Sequence, residues 1–341
     1  MSPDAVAETM PHMGEFDLIR RYFQREAAPA DGVALGIGDD CALLAPTPGT
    51  HWLVSSDMLV EGRHFLSTVE PERLGHKALA VNLSDLAACG ATPRAFTLAL
   101  ALPRADEAFL AGFARGLFAL ADAHGIALVG GDTTQGPLNL CITVMGEAPA
   151  GAALLRSGAR AGDDLYVSGD TLGDARLALE VFRGTRMLDG AAFESVRRAM
   201  ELPQPRVALG QALRGVASSA IDVSDGLLGD LGHILQRSGV GACVEADALP
   251  CSAVLAAQPE ALRREMGLAG GDDYELLFTA PAARHAEVLV AGQTGGVPVH
   301  RIGVVQAEAG LRLLDGGWRP EGPVGQPVAD RWTSFDHFKS A

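Results

Sequence analysis

Gly36-Ile-Gly-Asp-Asp-Cys-Ala-Leu-Leu44 and Ser55-Ser-Asp-Met-Leu-Val-Glu-Gly-Arg-His64 are the two neighbouring stretches around which the chain is organised. The first places two adjacent carboxylates, Asp39 and Asp40, after a Gly-x-Gly turn. The second follows Trp52–Val54, an apolar run that predicts a buried strand ending at Ser55. Carboxylates and hydroxyls at strand ends are hard oxygen ligands of the kind that Mg²⁺ takes. The two stretches therefore predict a site for several metal ions and a polyanion; the alternative is that these acids only form turns and caps.

The composition predicts an acidic globular protein of two domains. The chain has 341 residues, which is enough for two domains of ordinary size. Hydrophobic residues make up 48% of the chain and aromatic residues only 5%, which favours close-packed α/β layers. The formal charge of −15 gives a surface that repels nucleic acid and anionic membranes. A phosphorylated ligand would need metal cations, or local Arg and Lys side chains, in order to bind.

The cysteines and the N-terminus predict a cytoplasmic location. The five cysteines include no CxxC pair and are odd in number, which disfavours both a disulfide framework and a structural zinc site. Cysteines without a disulfide framework are typical of proteins in a reducing cytosol. Residues 1–15 contain acids and no apolar core, so they do not predict a signal peptide. The chain has no uninterrupted apolar run of about 18 residues, so no membrane-spanning helix is predicted.

Apparent strands and helices alternate along the chain, and this predicts an α/β fold. Helices are predicted at 71–90, 107–124 and 227–237, and strands at 95–102, 126–129, 138–146, 164–168 and 299–305. Asp132, Asp222 and Asp225 follow apparent strands, and Asp272 precedes another. Asp85 interrupts the first of these helices. A break after residue 148 predicts two domains, 1–148 and 149–341. GxGxxG in a βαβ setting, GxxxxGK[ST], GxSxG and HExxH are all missing, so Rossmann, Walker-type and common hydrolase sites are not predicted.

Eight motifs occur in order over nearly the whole chain: GEFDLI, GIGDDCALL, SSDMLVEGRHF, KALAVNLSDLAACGATP, GGDTT, RSGARAGD, AIDVSDGLLGDLGHI and GGDDYELLFT. Together they resemble the thiamine-monophosphate kinase family, and the match runs from about Gly14 to Phe338. That family belongs to a superfamily with aminoimidazole ribonucleotide synthetase, selenophosphate synthetase and a hydrogenase maturation factor. The resemblance implies the two-domain α/β (α+β) fold of aminoimidazole ribonucleotide synthetase. In that fold an N-terminal mixed sheet forms a barrel with its counterpart in a homodimer, and a C-terminal α/β domain packs beside it.

The resemblance also implies ATP-dependent phosphorylation of thiamine monophosphate to thiamine diphosphate, with several Mg²⁺ ions and without nucleic acid or membrane partners. Mg²⁺ ligands are implied at Asp40, Ser55, Ser56, Asp57, Asp85, Asp132, Asp222 and Asp225. ATP contacts are implied at Gly131, Asp132, Arg156 and Ser224, and contacts with thiamine phosphate at His64, Asp272 and Phe335. No general base is predicted, because the oxygen of the acceptor phosphate is already ionised at neutral pH.

Two departures from the family pattern bear on these roles. The family often has Thr at the position of Ser56, and both residues supply a hydroxyl. It often has Glu at the position of Asp272, so the carboxylate here is one methylene shorter, and both a direct and a water-mediated contact with substrate stay open. Phe113 stands where some members of the family have a Tyr near the nucleotide. Simpler interpretations stay open for these residues: a surface ion pair for Arg156, a capping or core role for His64, a solvent-facing helical position for Asp85, and core packing for Phe113 and the aromatic tail.

Two other functions are compatible with the acidic motifs. One is another ATP-dependent enzyme of the superfamily. Aminoimidazole ribonucleotide synthetase typically carries Gly-Val-Gly-Thr-Lys where this chain has DMLVEGRHF, and selenophosphate synthetase typically has a reactive Cys or selenocysteine near its N-terminus, whereas the first cysteine here is Cys41. The other function is non-catalytic binding of metal or nucleotide.

Overall fold

The computed structural model describes residues 14–25, 32–314 and 326–327. The N-terminal helices are α1 (Glu15–Leu18, continued by a π-helical turn Ile19–Phe23), α2 (Pro71–Ala88) and α3 (Glu107–His124). The N-terminal strands are β1 (Val33–Leu35), β2 (Leu43–Leu44), β3 (Thr50–Val60), β4 (Thr92–Leu102), β5 (Ala127–Gln135) and β6 (Asn139–Pro149). α3 has the predicted limits, because Asp106 caps its first turn and Gly125 ends it at a φ of 61°.

A mixed four-stranded sheet forms the N-terminal domain, with strand order β3-β6-β4-β5. β4 and β5 are parallel and the other neighbours are antiparallel. α2 and α3 lie side by side over one face of the sheet, where Phe96 and Ile142 are fully buried. The two helices approach closely at Gly75, where a Cβ atom would lie 2.0 Å from the carbonyl oxygen of Phe113. Only glycine allows this contact.

The opposite face of this sheet is exposed along β3 within the described residues. Val54 and Met58 project from it, with 64% and 55% of their surface exposed. Ser56 lies between them on the same face, because side chains alternate along a strand. We call this the open face of the N-terminal sheet.

The sequence predicted β3 and β5 incorrectly, since both strands are longer than expected. Trp52–Val54 was predicted to be a complete buried strand, but β3 has 11 residues and Val54 is exposed. The strand predicted to end at Val129 continues to Gln135. The polar residues of both motifs therefore lie within strands rather than after them. Both are edge strands of the sheet. Side chains alternate along β3 between the exposed face and the face toward α2, where Ser55 bonds to Asp85.

The C-terminal domain is built around a second mixed sheet. Its helices are α4 (Asp174–Phe182), α5 (Gly190–Glu201), α6 (Val207–Ala212), α7 (Leu227–Ser238), α8 (Ala253–Ala256), α9 (Glu260–Ala269) and α10 (His285–Gly295). Its strands are β7 (Asp163–Ser168), β8 (Ser219–Asp222), β9 (Gly241–Glu245), β10 (Leu276–Pro281), β11 (Val299–Gln306), β12 (Gly310–Leu314) and β13 (Gln326–Pro327).

The second sheet has the strand order β13-β12-β9-β11-β7-β10-β8. β12 and β9 are parallel, and the other pairs are antiparallel. The prediction that a strand ends in acids and is followed by a helix at Leu227 is confirmed, since β8 ends at Asp222 and α7 begins at Leu227. Among the described helices, none is both long and apolar enough to cross a bilayer.

α2 joins the two domains. Arg73 pairs with Glu201 of α5 at 2.9 Å, and His76 Nε2 donates to the carbonyl oxygen of Pro203 at 2.7 Å. At the other end of α2, a Cβ atom on Gly210 would lie 2.0 Å from the carbonyl oxygen of Ala87. α2 is therefore held against the C-terminal domain along its length, and its polar side chains lie between the two sheets.

Asp174, at the start of α4, is a buried acid outside this group of polar side chains on α2. It can therefore be used to measure the cost of burying a charge. It is 1% exposed, and its Oδ1 accepts a hydrogen bond from the Ser252 hydroxyl at 2.8 Å. Burial outweighs that hydrogen bond and raises the pKa of Asp174 from 3.8 to about 6. The folded state therefore favours the protonated acid, and ionisation at higher pH destabilises it.

We expect Asp174→Asn to stabilise the protein by about 3 kcal/mol at pH 8 and by about half of that at pH 5. The sign follows from the raised pKa: the native carboxylate reduces stability as pH rises from about 4 to about 6, and this penalty stays constant above that range. Asn keeps an acceptor for Ser252 but carries no charge. Urea unfolding of both proteins at the two pH values measures the difference. The same gain in the free energy of unfolding at both pH values would show that the buried charge of Asp174 is not its cause.

Candidate functional site

Four of the predicted ligands converge where α2 meets β3 and β8: Asp57, Asp85, Asp222 and Asp225. We call these four residues the acidic cluster. Burial of Asp57, together with the charges of Asp85 and Asp225, raises the pKa of Asp57 to about 6. Burial raises the pKa of Asp222 well above its usual range, and the charge of Asp85 adds to this effect. The carboxylates are thus close enough to repel one another in a site that excludes most water.

α2 positions the cluster with three polar side chains on two of its faces. On the face toward β3, the Asp57 amide donates to Asn82 Oδ1 at 3.0 Å, and the Ser55 hydroxyl donates to Asp85 Oδ2 at 2.5 Å. On the face toward β8, the Ser84 hydroxyl donates to Asp222 Oδ2 at 2.8 Å. Asn82 therefore fixes the backbone at Asp57, and Ser84 orients the Asp222 carboxylate. The Asp85 carboxylate is in turn oriented by Ser55 of β3. For Asp85, the solvent-facing alternative is wrong, because most of its side chain is enclosed by these contacts.

Asp230 was missed by the sequence analysis. It lies in the first turn of α7, is 3% exposed, and accepts hydrogen bonds from the backbone amides of Ser224 and Asp225 at 3.0 and 3.1 Å. Burial raises the pKa of Asp230 to about 7, although these amides oppose the shift. An acid in the first helical turn after a glycine could have suggested this role, because such a side chain can reach back to loop amides. Asp230 fixes the loop that presents Asp225.

Three predicted metal ligands do not lie at the acidic cluster in this chain. The Ser56 hydroxyl lies on the open face, 2.9 Å from the Thr143 hydroxyl. Asp132 is exposed and is paired in register with Ala99, which also belongs to the open face. β3 and β5 are the two edges of the sheet, so about 14 Å separates them at the usual strand spacing. Asp40 lies in the exposed turn between β1 and β2, where its amide donates to Asp39 Oδ1 at 2.8 Å. Their roles as ligands stay predictions.

The predicted ATP contacts lie in loops at the edge of the cluster and in β5. The positive charge of Arg156 acts on Asp85, opposing the effect of burial on the pKa of that carboxyl. The Ser238 hydroxyl shapes the Arg156 loop, since it accepts from the amides of Gly158 and Ala159 at 3.1 and 3.2 Å. The Ser224 carbonyl accepts from the Asp272 amide at 2.8 Å.

Gly131 has a packing reason for being glycine. Its φ is 148°, and a Cβ atom would lie 1.9 Å from the carbonyl oxygen of Leu98 on the neighbouring strand β4. Glycine at this position is therefore required by the approach of β4 and β5 and does not by itself indicate a nucleotide.

The residues predicted to contact thiamine phosphate fall into three different situations. His64 Nδ1 accepts from the Val60 amide at 2.9 Å, which is the capping role left open by the sequence. Asp272 forms an ion pair with Lys77 of α2 and has a φ of 73°. Phe335 lies outside the described residues. Phe113 is fully buried, with its ring centroid 6.0 Å from that of Phe109, so it belongs to the core.

The acidic cluster fits Mg²⁺, although it is not a complete ligand cage. In the described ranges, no three His, Cys, Asp or Glu side chains are already spaced to hold a metal ion. Mg²⁺ in proteins is usually bound by one or two carboxylates together with waters and substrate phosphates, so a closed cage is not required. A divalent cation would also relieve the repulsion between buried carboxylates. Asp57, Asp85, Asp222 and Asp225 would hold it, with the Ser55 hydroxyl adjacent.

Comparison with known proteins identifies the family. Residues 38–148 match the model of AIR synthase related protein, N-terminal domain, and residues 160–316 match that of its C-terminal domain. The thiamine-monophosphate kinase of Salmonella typhimurium is 45% identical over 329 residues, which cover 95% of this chain and 98% of that protein. The chain belongs to the thiamine-monophosphate kinase family. The resemblance carried by the eight motifs is therefore confirmed.

Solved structures of this family have the same fold. The thiamine-monophosphate kinase from Stenotrophomonas maltophilia K279a superposes with a TM-score of 0.80 at 45% identity, covering 87% of this chain and 93% of that chain. AaThiL complexed with AMPPCP and TMP gives a TM-score of 0.71 at 28% identity, with 93% and 99% covered. The predicted two-domain AIR synthase-like α/β fold with mixed sheets is confirmed. The dimeric barrel stays a prediction.

Proposed function

We propose that this protein is an ATP-dependent thiamine-monophosphate kinase. In the reaction, a phosphate oxygen of thiamine monophosphate bonds to the γ-phosphorus of ATP, the bond from that phosphorus to the β–γ bridging oxygen breaks, and ADP leaves. The observation that carries the proposal is a buried acidic cluster in a chain that is 45% identical to a thiamine-monophosphate kinase over 95% of its length. The related AaThiL complex, which holds AMPPCP and TMP together, supports the choice of both substrates.

Charge is the main obstacle in this reaction, because two polyanions must come into contact. Mg²⁺ bound at Asp57, Asp85, Asp222 and Asp225 would supply charge neutralisation on the phosphates. The residues of this chain orient the site: Asn82 holds the backbone of Asp57, Ser84 holds the Asp222 carboxylate, and Asp230 holds the loop of Asp225. Arg156 provides a fixed positive charge near Asp85, where we place the ATP phosphates. The acceptor oxygen is ionised at neutral pH, so no side chain has to remove a proton.

Product analysis tests this function. Purified protein is incubated with ATP, MgCl₂ and thiamine monophosphate, and thiamine diphosphate is measured by chromatography. We expect the diphosphate to form with Mg²⁺ and to disappear in excess EDTA. Full turnover in EDTA would remove the metal from the mechanism. ATP hydrolysis without thiamine diphosphate would favour another enzyme of the superfamily, and binding of ATP without any product would favour a non-catalytic nucleotide-binding protein.

We also propose a homodimer joined through the open face of the N-terminal sheet. Val54 and Met58 form an exposed apolar surface on a chain whose formal net charge is −15. An exposed apolar sheet face of this kind favours association with another protein surface. Ser56 and Asp132 lie on the same face, so association there would bring these two predicted ligands close to a second copy. The family resemblance implies a barrel formed from two such sheets.

Val54→Lys is expected to convert the dimer to a monomer, because it would bury one charge from each copy in an apolar interface. Light scattering at micromolar concentration measures the mass of both proteins. Met187→Lys is the matched control: Met187 is 94% exposed, lies outside the sheet, and should leave the mass unchanged. A wild-type protein that is monomeric at this concentration would refute the proposal.

The remaining assignments follow from the same reasoning. We place the domain boundary between residues 148 and 149, and the end of β6 at Pro149 and the start of β7 at Asp163 support this position. Residues 1–148 would carry dimerisation, half of the predicted ATP contacts and most of the predicted Mg²⁺ ligands, and residues 149–341 would form the C-terminal α/β domain. We place the protein in the cytoplasm, in agreement with five free cysteines.

A further inference from the structure

Lys77 is a buried cation that the proposed chemistry does not use. It lies on α2 with only 3% of its side chain exposed, and its ammonium group pairs with the carboxylate of Asp272 in the C-terminal domain. Lysine is almost never buried to this extent unless its charge is compensated. Lys77 and Ser84 are seven residues apart, which places them two turns apart on one helix face. Ser84 orients Asp222 from that face, so Lys77 belongs to the same interdomain surface.

The partner of Lys77 lies in a loop with an uncommon backbone conformation. Asp272 and Tyr274 have φ values of 73° and 52°, a region that residues other than glycine rarely occupy. The loop is tied to the chain next to the acidic cluster: the Asp272 amide donates to the Ser224 carbonyl and the Tyr274 amide to the Val223 carbonyl, both at 2.8 Å. Burial, together with the neighbouring charge of Asp272, raises the pKa of the Tyr274 hydroxyl. Such conformations persist where the surroundings enforce them, and they concentrate at functional sites.

One positive charge lies at the Asp85 end of the acidic cluster, and another lies beside Asp272, in the loop tied to the chain next to the cluster. Arg156 acts on Asp85, whereas Lys77 holds Asp272. Lys77 and Asp85 are eight residues apart on α2, which corresponds to about 12 Å along the helix axis. Two phosphorylated substrates must meet between these two side chains, and the charges of the substrates differ. The charged groups of ATP are all anionic phosphates, whereas thiamine monophosphate also carries a cationic thiazolium ring and an aminopyrimidine. Asp272 is one-third exposed and offers a carboxylate to such a ring system, so the acceptor belongs at the Lys77 end.

We propose that Lys77 is a positioning residue for the phosphate acceptor: its ammonium group holds Asp272 and the loop of Asp272 and Tyr274 in the conformation that binds thiamine monophosphate. The proposal rests on the function proposed above. Lys77 acts through Asp272 and does not touch the reacting atoms. Loss of its charge should therefore weaken acceptor binding and leave the binding of nucleotide at the Arg156 end almost unchanged.

Calorimetric titration of the full chain in MgCl₂ tests this without requiring turnover. Thiamine monophosphate and AMPPCP are titrated separately into the wild type, Lys77→Met and Lys77→Arg. For Lys77→Met we expect the Kd for thiamine monophosphate to rise about 10- to 100-fold, the range expected for losing a hydrogen bond to a charged group. The Kd for AMPPCP should change less than about twofold, and Lys77→Arg should restore most of the acceptor affinity, because it keeps the charge. Equal weakening of both ligands would overturn the proposal.

Arg73→Met is the matched control for a merely structural contribution. Arg73 lies one turn before Lys77 on α2 and also forms interdomain ion pairs, to Glu194 and Glu201, but away from the cluster. The Arg73→Met variant should have a lower Tm than the wild type and an unchanged Kd for thiamine monophosphate. If Arg73→Met weakens acceptor binding as much as Lys77→Met does, the effect is one of domain packing and the proposal is wrong.

The double variant Lys77→Met/Asp272→Asn separates stability from binding. Either single change leaves a charge without its partner, and the double change removes both charges, so the double variant should recover Tm relative to Asp272→Asn. Acceptor affinity should stay low. Recovery of affinity together with Tm would overturn the positioning role. A wild type that binds thiamine monophosphate and forms no diphosphate would instead refute the proposed function, and the same titrations would still decide the role of Lys77.

Discussion

Unphosphorylated thiamine is expected to be a poorer acceptor than thiamine monophosphate by at least about 10³-fold in kcat/KM, because it lacks the phosphate that metal ions bound at the acidic cluster would contact. It also has a neutral hydroxyl, which needs a base for deprotonation. His64 is the histidine of the metal motifs, and its Nδ1 already accepts from the Val60 amide. The side-chain nitrogen of Lys77 is engaged in an ion pair with Asp272. Neither is placed to act as the base.

The comparison uses initial rates with each acceptor at saturating ATP and MgCl₂. Thiamine diphosphate from the monophosphate and thiamine monophosphate from thiamine are separated by chromatography. A His64→Gln variant is measured with both acceptors, since glutamine retains a polar side chain of similar reach. Comparable rates on the two acceptors, together with loss of thiamine turnover in His64→Gln, would contradict this account and make His64 a candidate base.

Asp57→Asn should lower turnover by at least about 10²-fold while leaving the fold intact, which is the usual scale for losing one preorganised charge at a reacting phosphate. The change keeps the size of the side chain, and the Asp57 amide still bonds to Asn82. Stability should not fall, because burial and two neighbouring carboxylates already disfavour the charged form of Asp57, as its raised pKa of about 6 indicates.

Asp174→Asn is the matched control for this experiment. Asp174 is also buried and has a pKa of about 6, but it lies at the start of α4, outside the acidic cluster. We expect the turnover of Asp174→Asn to equal that of the wild type. A loss of turnover in Asp57→Asn then reflects the position of Asp57 in the acidic cluster and not the removal of a buried carboxylate as such. Steady-state rates and thermal unfolding of both variants make the comparison. More than about a tenth of wild-type turnover in Asp57→Asn would contradict a primary role as metal ligand.

Sequence patterns predicted the elements whose local signals agree with their surroundings. α3 has the limits read from its apolar spacing, because Asp106 and Gly125 supply local start and stop signals. The strand before Asp222 and the helix at Leu227 were predicted for the same reason. β3 was predicted poorly, because Val54 is an apolar residue on an exposed face and so breaks the usual relation between hydrophobicity and burial.

The candidate site divides in the same way. The residue types and their order in the motifs were enough to predict oxygen ligands, a polyanionic substrate and the family, since these depend on side-chain chemistry. Which of those residues meet was decided by the tertiary structure. Ser55 and Ser56 are neighbours in sequence, yet strand alternation turns one toward Asp85 and the other to the open face.

Long-range contacts are the part that the sequence alone left undetermined. Lys77 and Asp272 are 195 positions apart, and Ser84 and Asp222 are 138 apart. No local pattern links such residues, because their meeting depends on how α2 packs between the two sheets. Asp230 was missed for a related reason: its role depends on a loop whose path is set by neighbouring elements. The sequence by itself determined which chemistry the chain can perform, and the packing of α2 decided which carboxylates come together to perform it.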